Sequence, residues 1–482
     1  MNNHPDPAAI RYRNKRLENW NAVSIIKEKK QGIGKYYHDL LKYYYKFTIP
    51  SGLKVLEFGC GHGDLLSAVE PSFGVGIDFS HKMIKYASLK HKSLYFLCAD
   101  AHEVILKTKF DVIILSDLVN DLWDVQRVLE RLKDLSHAGT RIVINYFNNL
   151  WRIPLGIIKS IKLGHQVLEQ NWLTNQDISN LLKISGFETI KHNEHIITPF
   201  YLPILSAFTN RYLLRFPPFK WLALTNMVIA RPEPHLDKAA ISNLMAVSII
   251  VPARNEAGNI EEIINRTPPF GKETEIIFVE GHSNDSTFET IKKMIEKYPD
   301  RNIKVYQQNG KGKGDAVRLG FEKASGEILM ILDADMTVPP ELLPRFYETI
   351  VSEKGEFING VRLVYPMEDQ AMRFFNIAGN KFFSLAFSWL LGQSIKDTLC
   401  GTKVLFKHHY EMISKHRKYF GDFDPFGDFD LLFGAAKLNL KITELPLRYR
   451  SRTYGDTNID RWSHGWLLLK MVFFAAQKIK FI

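Results

Sequence analysis

The chain has 482 residues, 45% of them hydrophobic and 24% charged, which is long for one hydrophobic core, comfortable for two, and too apolar for extensive disorder. Its three cysteines, Cys60, Cys98 and Cys400, lie far apart without metal-ligand spacing, which argues against a disulfide framework or zinc site and for a reducing compartment. The formal net charge of +11 fits nucleic acid, an anionic membrane surface or phosphorylated small substrates.

No helix-turn-helix, zinc-finger or RNP-type pattern supports the first of these, so no nucleic-acid partner is expected. The N-terminal stretch lacks the apolar core of a signal peptide, and no run approaches the roughly 18 apolar residues of a spanning helix. A cytoplasmic protein is expected.

In chain order, residues 54–58, 74–78, 94–97, 111–115 and 141–146 read as strands, with helical patterns between most of them. Such alternation predicts a parallel sheet covered by helices on both faces. A last strand at 227–230 closes this part. The polar, Pro-containing stretch 233–245 reads as a linker between a domain at 1–232 and another at 246–482. Alternation then restarts with strands at 247–251, 276–279, 303–306 and 328–332. The expected class is α/β in two domains.

The first chemical motif is Glu57-Phe58-Gly59-Cys60-Gly61-His62-Gly63, a strand running into a glycine turn before a helix. Glycines there allow close backbone approach to a ligand, and a helix N-terminus favours an anionic group. Asp78, about 20 residues on, ends the next strand, where an acid can accept from both ribose hydroxyls. Asp100-Ala101 follows the third strand, placed to meet an adenine amino group. A tight structural turn and a dinucleotide site are the competing readings. The pattern Glu-x-Gly-x-Gly-x-Gly, with its acid before the first glycine, resembles the class I methyltransferase signature over about residues 30–232. That resemblance implies a Rossmann-like domain binding S-adenosylmethionine through Glu57, Gly59, Gly61, Gly63, Asp78, Asp100 and Ala101. Beyond the fourth strand, Asp117 or Asp121 could position or deprotonate a methyl acceptor, or be a solvated loop carboxylate. The apolar stretch 199–221 reads as core or lid packing, or as a seat for an apolar acceptor tail.

In the second half, the apolar run 328–332 leads into Asp333-Ala334-Asp335. If these residues continue the strand, the two carboxylates point the same way and suit a hard divalent cation, Mg²⁺ or Mn²⁺, gripping a diphosphate. Pro252-Ala253-Arg254-Asn255-Glu256, Glu280 through Asp285, and the basic loop Lys311-Gly312-Lys313 accompany it. In this order the pieces resemble the family 2 glycosyltransferases of GT-A fold. The resemblance implies a nucleotide diphosphate sugar donor, with residues 252–256, Glu280 and Asp285 at base and ribose, Lys313 at phosphate, and Asp333 with Asp335 at the metal. Glu280-Gly281 replaces the usual aspartate pair.

Further motifs, Asp397 to Lys403, Phe426 to Asp430, Glu444-Leu445-Pro446 and Arg452 to Asn458, are similar to the branch of dolichyl-phosphate mannose and polyprenyl-phosphate sugar synthases. That branch implies inverting transfer to a lipid-linked or glycan acceptor, for whose phosphate Arg448, Arg450 and Arg452 could supply charge. Asn458 stands where the branch carries lysine. A hydroxyl acceptor would need a base, for which Asp430 or its neighbour Asp428 is the candidate; a helix-capping aspartate is the alternative. Residues 371–392 and 466–482 are amphipathic, the latter with Lys470, Lys478 and Lys480, and are expected to lie on an anionic membrane surface or to pack internally.

Overall fold

In the computed structural model the described residues are 7–29, 34–160, 168–234, 245–362, 374–415, 428–447, 454 and 461–481, with 25–29, 157–160, 374–380, 428 and 461–465 described by backbone alone. The chain divides into two compact units, Met1–Glu233 and Pro234–Lys480. Most of the stretch read as a linker lies outside the described residues.

In the first unit, strands β1 (Lys54–Phe58), β2 (Phe73–Asp78), β3 (Tyr95–Cys98), β4 (Phe110–Ser116), β5 (Ser136–Phe147), β6 (Phe187–His195) and β7 (Thr225–Pro232) form one sheet in the order β3-β2-β1-β4-β5-β7-β6. The first five are parallel, and β7 runs antiparallel between β5 and β6. Val55, Leu56, Phe58, Ile113 and Ile144 are fully buried, as expected of central parallel strands covered on both faces. Side-chain caps fix several helix starts. Ser80 accepts from Met83 N at 3.3 Å, and Thr174 and Asp177 form a capping box.

The second unit repeats the plan. Strands β8 (Val247–Ala253), β9 (Thr274–Glu280), β10 (Asn302–Gln307), β11 (Ile328–Ile331), β12 (Phe357–Val361), β13 (Lys403–Phe406) and β14 (Ile442–Pro446) give the order β10-β9-β8-β11-β13-β12-β14. β8 to β11 are parallel, and β13 is antiparallel to both β11 and β12. In each sheet the strand order reverses beside the first strand, between β1 and β4 and between β8 and β11. The crevices at the carboxyl ends there are the places an open α/β sheet offers a ligand.

One local expectation is corrected. β11 stops at Ile331, so Asp333 and Asp335 sit in the turn beyond it, and strand alternation does not aim them. For residues 371–392 the internal-packing reading is met in part by two serines of the helix Phe374–Leu391. Ser384 Oγ donates to Ile395 O at 2.5 Å, and Ser388 Oγ accepts from Ile395 N at 2.9 Å, so these serines fasten the helix to the next loop.

Candidate active sites

A cavity of about 1520 Å³ opens at the β1–β4 reversal, and Glu57, Gly59, Gly61, Asp78, Asp100 and Ala101 all line it. Gly61 has φ +52° and open space where a Cβ would point, so the backbone itself forms the wall. Its N–H donates to Asp78 Oδ2 at 3.0 Å while Ser80 N donates to Oδ1 at 2.9 Å. Asp78 is thereby fixed, and carboxylate oxygens retain lone pairs for hydroxyl donors. Gly63 serves packing instead: at φ +73°, a Cβ there would fall 2.7 Å from Phe96 Cζ.

Burial drives the Glu57 carboxyl well above its ordinary range, with a backbone hydrogen bond from Leu66 opposing and Asp78 and Asp64 reinforcing the shift. Burial also acts to raise Asp100, but His102 outweighs it through its backbone N–H at 2.9 Å and ring Nδ1 at 2.7 Å, with Arg13 adding charge at 3.7 Å. Asp100 therefore lies below the usual carboxylate range.

Neither acceptor-side carboxylate is a solvated loop residue. Asp117, at φ +54°, accepts from Asn145 Nδ2 at 2.6 Å and from the Tyr37 hydroxyl at 3.0 Å. Burial and the Asp117 charge keep the Tyr37 phenol well above its ordinary pKa, so it stays a donor. Asp121 accepts from Arg16 Nε at 2.8 Å and Trp20 Nε1 at 2.7 Å.

At the second reversal, the loops after β8 and β9 interlock. Asn255 (φ +58°) donates its N–H to Ser283 Oγ at 3.0 Å and accepts from Asn284 N at 2.8 Å. Gly281 N donates to Ala253 O at 2.9 Å, and Pro252 pairs in register with Val279. Buried Glu256 accepts from Asn259 Nδ2 at 2.7 Å, whereas Arg254 is exposed. Burial acts to raise Glu280 and Asp285. Their donors prevail and hold both below the ordinary range: Ser283 N at 2.5 Å and Gln307 Nε2 at 2.9 Å for Glu280, Thr287 and Ala257 for Asp285. Residues 252–256, Glu280 and Asp285 thus form one cluster.

Lys313 opens the helix Lys313–Lys323, not a free loop, and its Nζ meets Asp333 Oδ1 at 2.6 Å. Burial alone would raise Asp333; Lys313, Lys403 and Arg362 outweigh it and lower the carboxyl below its ordinary value. Ala334 is buried, and Asp335 Oδ1 accepts from Thr337 Oγ1 at 2.7 Å and its N–H at 3.2 Å. Gly401 closes over the ion pair. A Cβ on it would lie 2.6 Å from Asp333 Cγ and nearer still to Asp333 Oδ2 and Lys313 Nζ. Behind it, Asp397 takes a bidentate contact from Arg362 at 2.7 and 2.8 Å, and buried Lys403 donates to Cys400 O at 2.5 Å.

Arg318, on the same helix as Lys313, stands 3.8 Å from Asp430. The side chain of Asp428 and all of Arg452 lie outside the described residues. Tyr454, from the same motif as Arg452, packs on Gly258, where a Cβ would fall 2.7 Å from its ring. Among the described residues no three His, Cys, Asp or Glu side chains converge as a metal cluster.

Comparison with known proteins separates the two units by family. The "Methyltransferase domain" model matches residues 49–192, and the "Glycosyl transferase family 2" model matches residues 248–420. The chain joins a methyltransferase domain to a family 2 glycosyl transferase domain.

The relatives include a dolichol-phosphate mannosyltransferase of Pyrococcus furiosus, 38% identical over 108 residues, covering 22% of this chain and 30% of the relative. An undecaprenyl-phosphate 4-deoxy-4-formamido-L-arabinose transferase of Salmonella paratyphi B is 26% identical over 216 residues, 44% of this chain and 62% of the relative. The chain therefore spans less than two thirds of either. Among solved structures, an S-adenosylmethionine-dependent methyltransferase from Mesorhizobium loti is 20% identical, covering 39% of this chain and 96% of its own, with a TM-score of 0.32.

Sequence reasoning overlooked one wall of the methyltransferase cavity. The helix Pro7–Lys29 contributes Tyr12, Arg13, Arg16 and Trp20 to the lining. The spacing of Tyr12, Arg16 and Trp20, four residues apart, was the available signal, since it places them along one helix face. In the glycosyl transferase domain, Arg362 and Asn359 were likewise missed. Asn359 Nδ2 donates to Asp397 O at 2.7 Å, so both residues hold the loop that carries Gly401.

Proposed function

We propose that the chain is a bifunctional transferase of cell-surface glycan biosynthesis. Its glycosyl transferase domain moves a hexose, with inversion, from a nucleotide diphosphate sugar to a polyprenyl phosphate or related lipid-linked acceptor. Its methyltransferase domain methylates a small-molecule or glycan acceptor. The observation that carries the first half is the Lys313–Asp333 pair under the Gly401 backbone, beside the loops that carry Glu280 and Asp285. The lipid-phosphate substrates in the names of the two relatives support the acceptor class.

In this reading residues 252–256, Glu280 and Asp285 bind base and ribose, and Lys313, with Arg452, faces phosphate charge. Asp333 and Asp335 offer hard oxygen ligands, a donor set that suits Mg²⁺ or Mn²⁺ completed by diphosphate oxygens. Such a cation, when bound, offsets charge on the leaving nucleoside diphosphate. An anionic phosphate acceptor attacks the anomeric carbon without a base. With a sugar-hydroxyl acceptor, Asp430 or Asp428 takes the proton.

On the methyltransferase side, the open wall at Gly61, the anchored Asp78 and the cavity's size fit S-adenosylmethionine. Glu57, Gly59 and Gly63 shape the loop, Asp78 meets the ribose, and Asp100 with Ala101 meets the adenine. The cofactor supplies an electrophilic methyl group, and Asp117, held by Asn145 and Tyr37, orients the acceptor nucleophile.

No helix among the described residues is long and apolar enough to cross a membrane. The helix Arg461–Ile479 exposes Trp466 and Phe473 beside Lys470, and Phe374–Leu391 exposes Phe382 and Leu385. These faces support peripheral contact with the inner, anionic side of the membrane.

The test is a donor screen with Mg²⁺ or Mn²⁺, radiolabelled UDP- and GDP-sugars and extracted polyprenyl phosphate, beside Asp335→Ala. Label entering the organic phase only with intact Asp335 is the expected result. Turnover of donor without labelled lipid would replace the lipid phosphate with a glycan hydroxyl.

A further inference from the structure

The segment between β6 and β7 has its polarity inverted. In the helix Leu205–Arg211, Ser206, Thr209 and Asn210 are buried while Leu205 and Phe208 face outward. The polar groups are used internally: Asn210 Oδ1 accepts from Ile197 N at 2.8 Å and Thr198 N at 2.9 Å, and Ser206 Oγ donates to Leu202 O at 2.7 Å. A helix packing its apolar stripe inward shows the opposite arrangement.

Ile204, just before this helix, is 87% exposed and holds φ +65°. With Leu205 N donating to Pro203 O at 2.7 Å, Ile204 is the centre of a γ-turn of positive φ, which is strained for a β-branched residue, so the fold accepts a backbone cost at a position that presents an isoleucine outward. Tyr201, Phe216 and Trp221 are also exposed. The patch continues onto the segment after β5, because Trp151 Nε1 donates to Leu222 O and Asn148 Nδ2 to Trp221 O, both at 2.9 Å; exposed Ile153 follows. Contiguous apolar surface of this kind marks an interaction site.

Charge selects the occupant. No Asp or Glu occurs between Ile196 and Pro232 or between Tyr146 and Leu168, whereas Arg152 and Arg211 are exposed at the patch, Arg211 with its Nε donating to Phe481 O at 2.9 Å. Aromatic residues with polar tips, aliphatic side chains and basic residues without acids suit the interface of an anionic bilayer.

We infer that the methyltransferase domain has its own membrane-binding face, formed by residues 200–222 with 149–153, which docks on anionic phospholipid. This surface goes beyond the contacts proposed for the second domain.

The experiment uses the full chain and sedimentation with vesicles of phosphatidylcholine containing about 30% phosphatidylglycerol. Ile204→Glu/Phe208→Glu is made in the natural chain and in a Trp466→Glu/Phe473→Glu background that removes the exposed aromatics of the helix Arg461–Ile479. At least about tenfold weaker vesicle binding is expected in both, since each change replaces a lipid-buried apolar side chain with a charge. Ile204→Gly should raise Tm by releasing the positive-φ strain and still weaken vesicle binding.

Titration with S-adenosylmethionine checks folding, because the patch lies off the cavity. A natural chain that binds vesicles but not the cofactor would fail the methyltransferase reading while leaving this one intact. Vesicle binding unchanged within twofold in both backgrounds overturns the inference. So does concentration-dependent self-association without lipid that Ile204→Glu/Phe208→Glu abolishes, which would make a second copy the occupant.

Discussion

Gly401→Ala tests whether the backbone over the Lys313–Asp333 pair determines the geometry of the proposed sugar-donor site. The new Cβ would fall 2.6 Å from Asp333 Cγ; an ordinary carbon–carbon contact needs about 3.5 Å, so one side must retreat by about 1 Å. The loop is poorly placed to yield. Asp397 is clamped by Arg362, Lys403 binds Cys400 O, and Gly360 N donates to Thr402 O at 3.0 Å. The carboxylate and ammonium must therefore move apart. Overpacking of this size costs about 1–3 kcal/mol, and a displacement of about 1 Å at a reacting site can cost on the order of a hundredfold in rate. The expected outcome is a fall of that order in kcat/KM for sugar transfer, with only a modest fall in Tm. Donor binding and steady-state turnover would be measured beside a thermal scan. A variant within twofold of the natural chain in kcat/KM would refute the claim that Gly401 must lack a side chain for the pair to form.

Arg16→Met leaves mostly buried Asp121 with Trp20 as its remaining side-chain donor among the described residues, a loss of about 2 kcal/mol. The first unit's melting temperature should fall by roughly 4–8 °C, and S-adenosylmethionine affinity should weaken because the helix Pro7–Lys29 lines the cavity; unchanged affinity would show that the helix is structural only. Lys437, partly buried on the helix Asp428–Lys437, has its pKa pulled by burial from 10.5 to about 7. Between those values the unfolded chain holds a proton that the folded chain has released, so this group makes stability rise with pH. Lys437→Met should raise Tm most at pH 7 and below, with the gain shrinking toward pH 10.5; a pH-independent gain in thermal scans would contradict this.

The central strands were readable because they are short apolar runs bounded by turn residues: β1 was read at its observed limits, and β2, β4, β8 and β9 to within two residues at each end. The missed strands were β6, β12, β13 and β14. β6, Phe187–His195, contains Glu188, Lys191, His192 and Glu194, so a sheet edge reads as polar loop. β13 begins at Lys403, whose buried ammonium is satisfied by a carbonyl that no local pattern reveals. The site acids were legible by type and order, since hydrogen-bonding loop residues cluster at strand exits. Their partners were not legible. Arg16 with Asp121, Lys313 with Asp333 and Arg362 with Asp397 are separated by 105, 20 and 35 residues, distances over which spacing carries no geometry.

The turn holding Asp335 explains how these acids are aimed without strand alternation. Asp78, Asp100, Asp285, Asp335 and Asp397 each accept from the backbone N–H two residues on, that of Ser80, His102, Thr287, Thr337 and Leu399 respectively. This is the aspartate turn that lets a short carboxylate grip its own backbone. The device recurs in both domains, in four cases at or after the end of a parallel strand and, at Asp397, in the loop before antiparallel β13, so it belongs to local loop chemistry and not to either family. It fixes one oxygen through the next two residues; the other is held by a second backbone N–H in Asp78 and Asp285 and by Arg362 in Asp397, and in the proposed function the remaining lone pairs meet a ribose or a cation. A glutamate, one methylene longer, cannot close the same turn without changing where its charge lies. Glu280 is held from three residues on, by Ser283 N, consistent with that longer reach. In the proposed function the aspartates are therefore specified twice, once by the turn that orients them and once by the group each one binds.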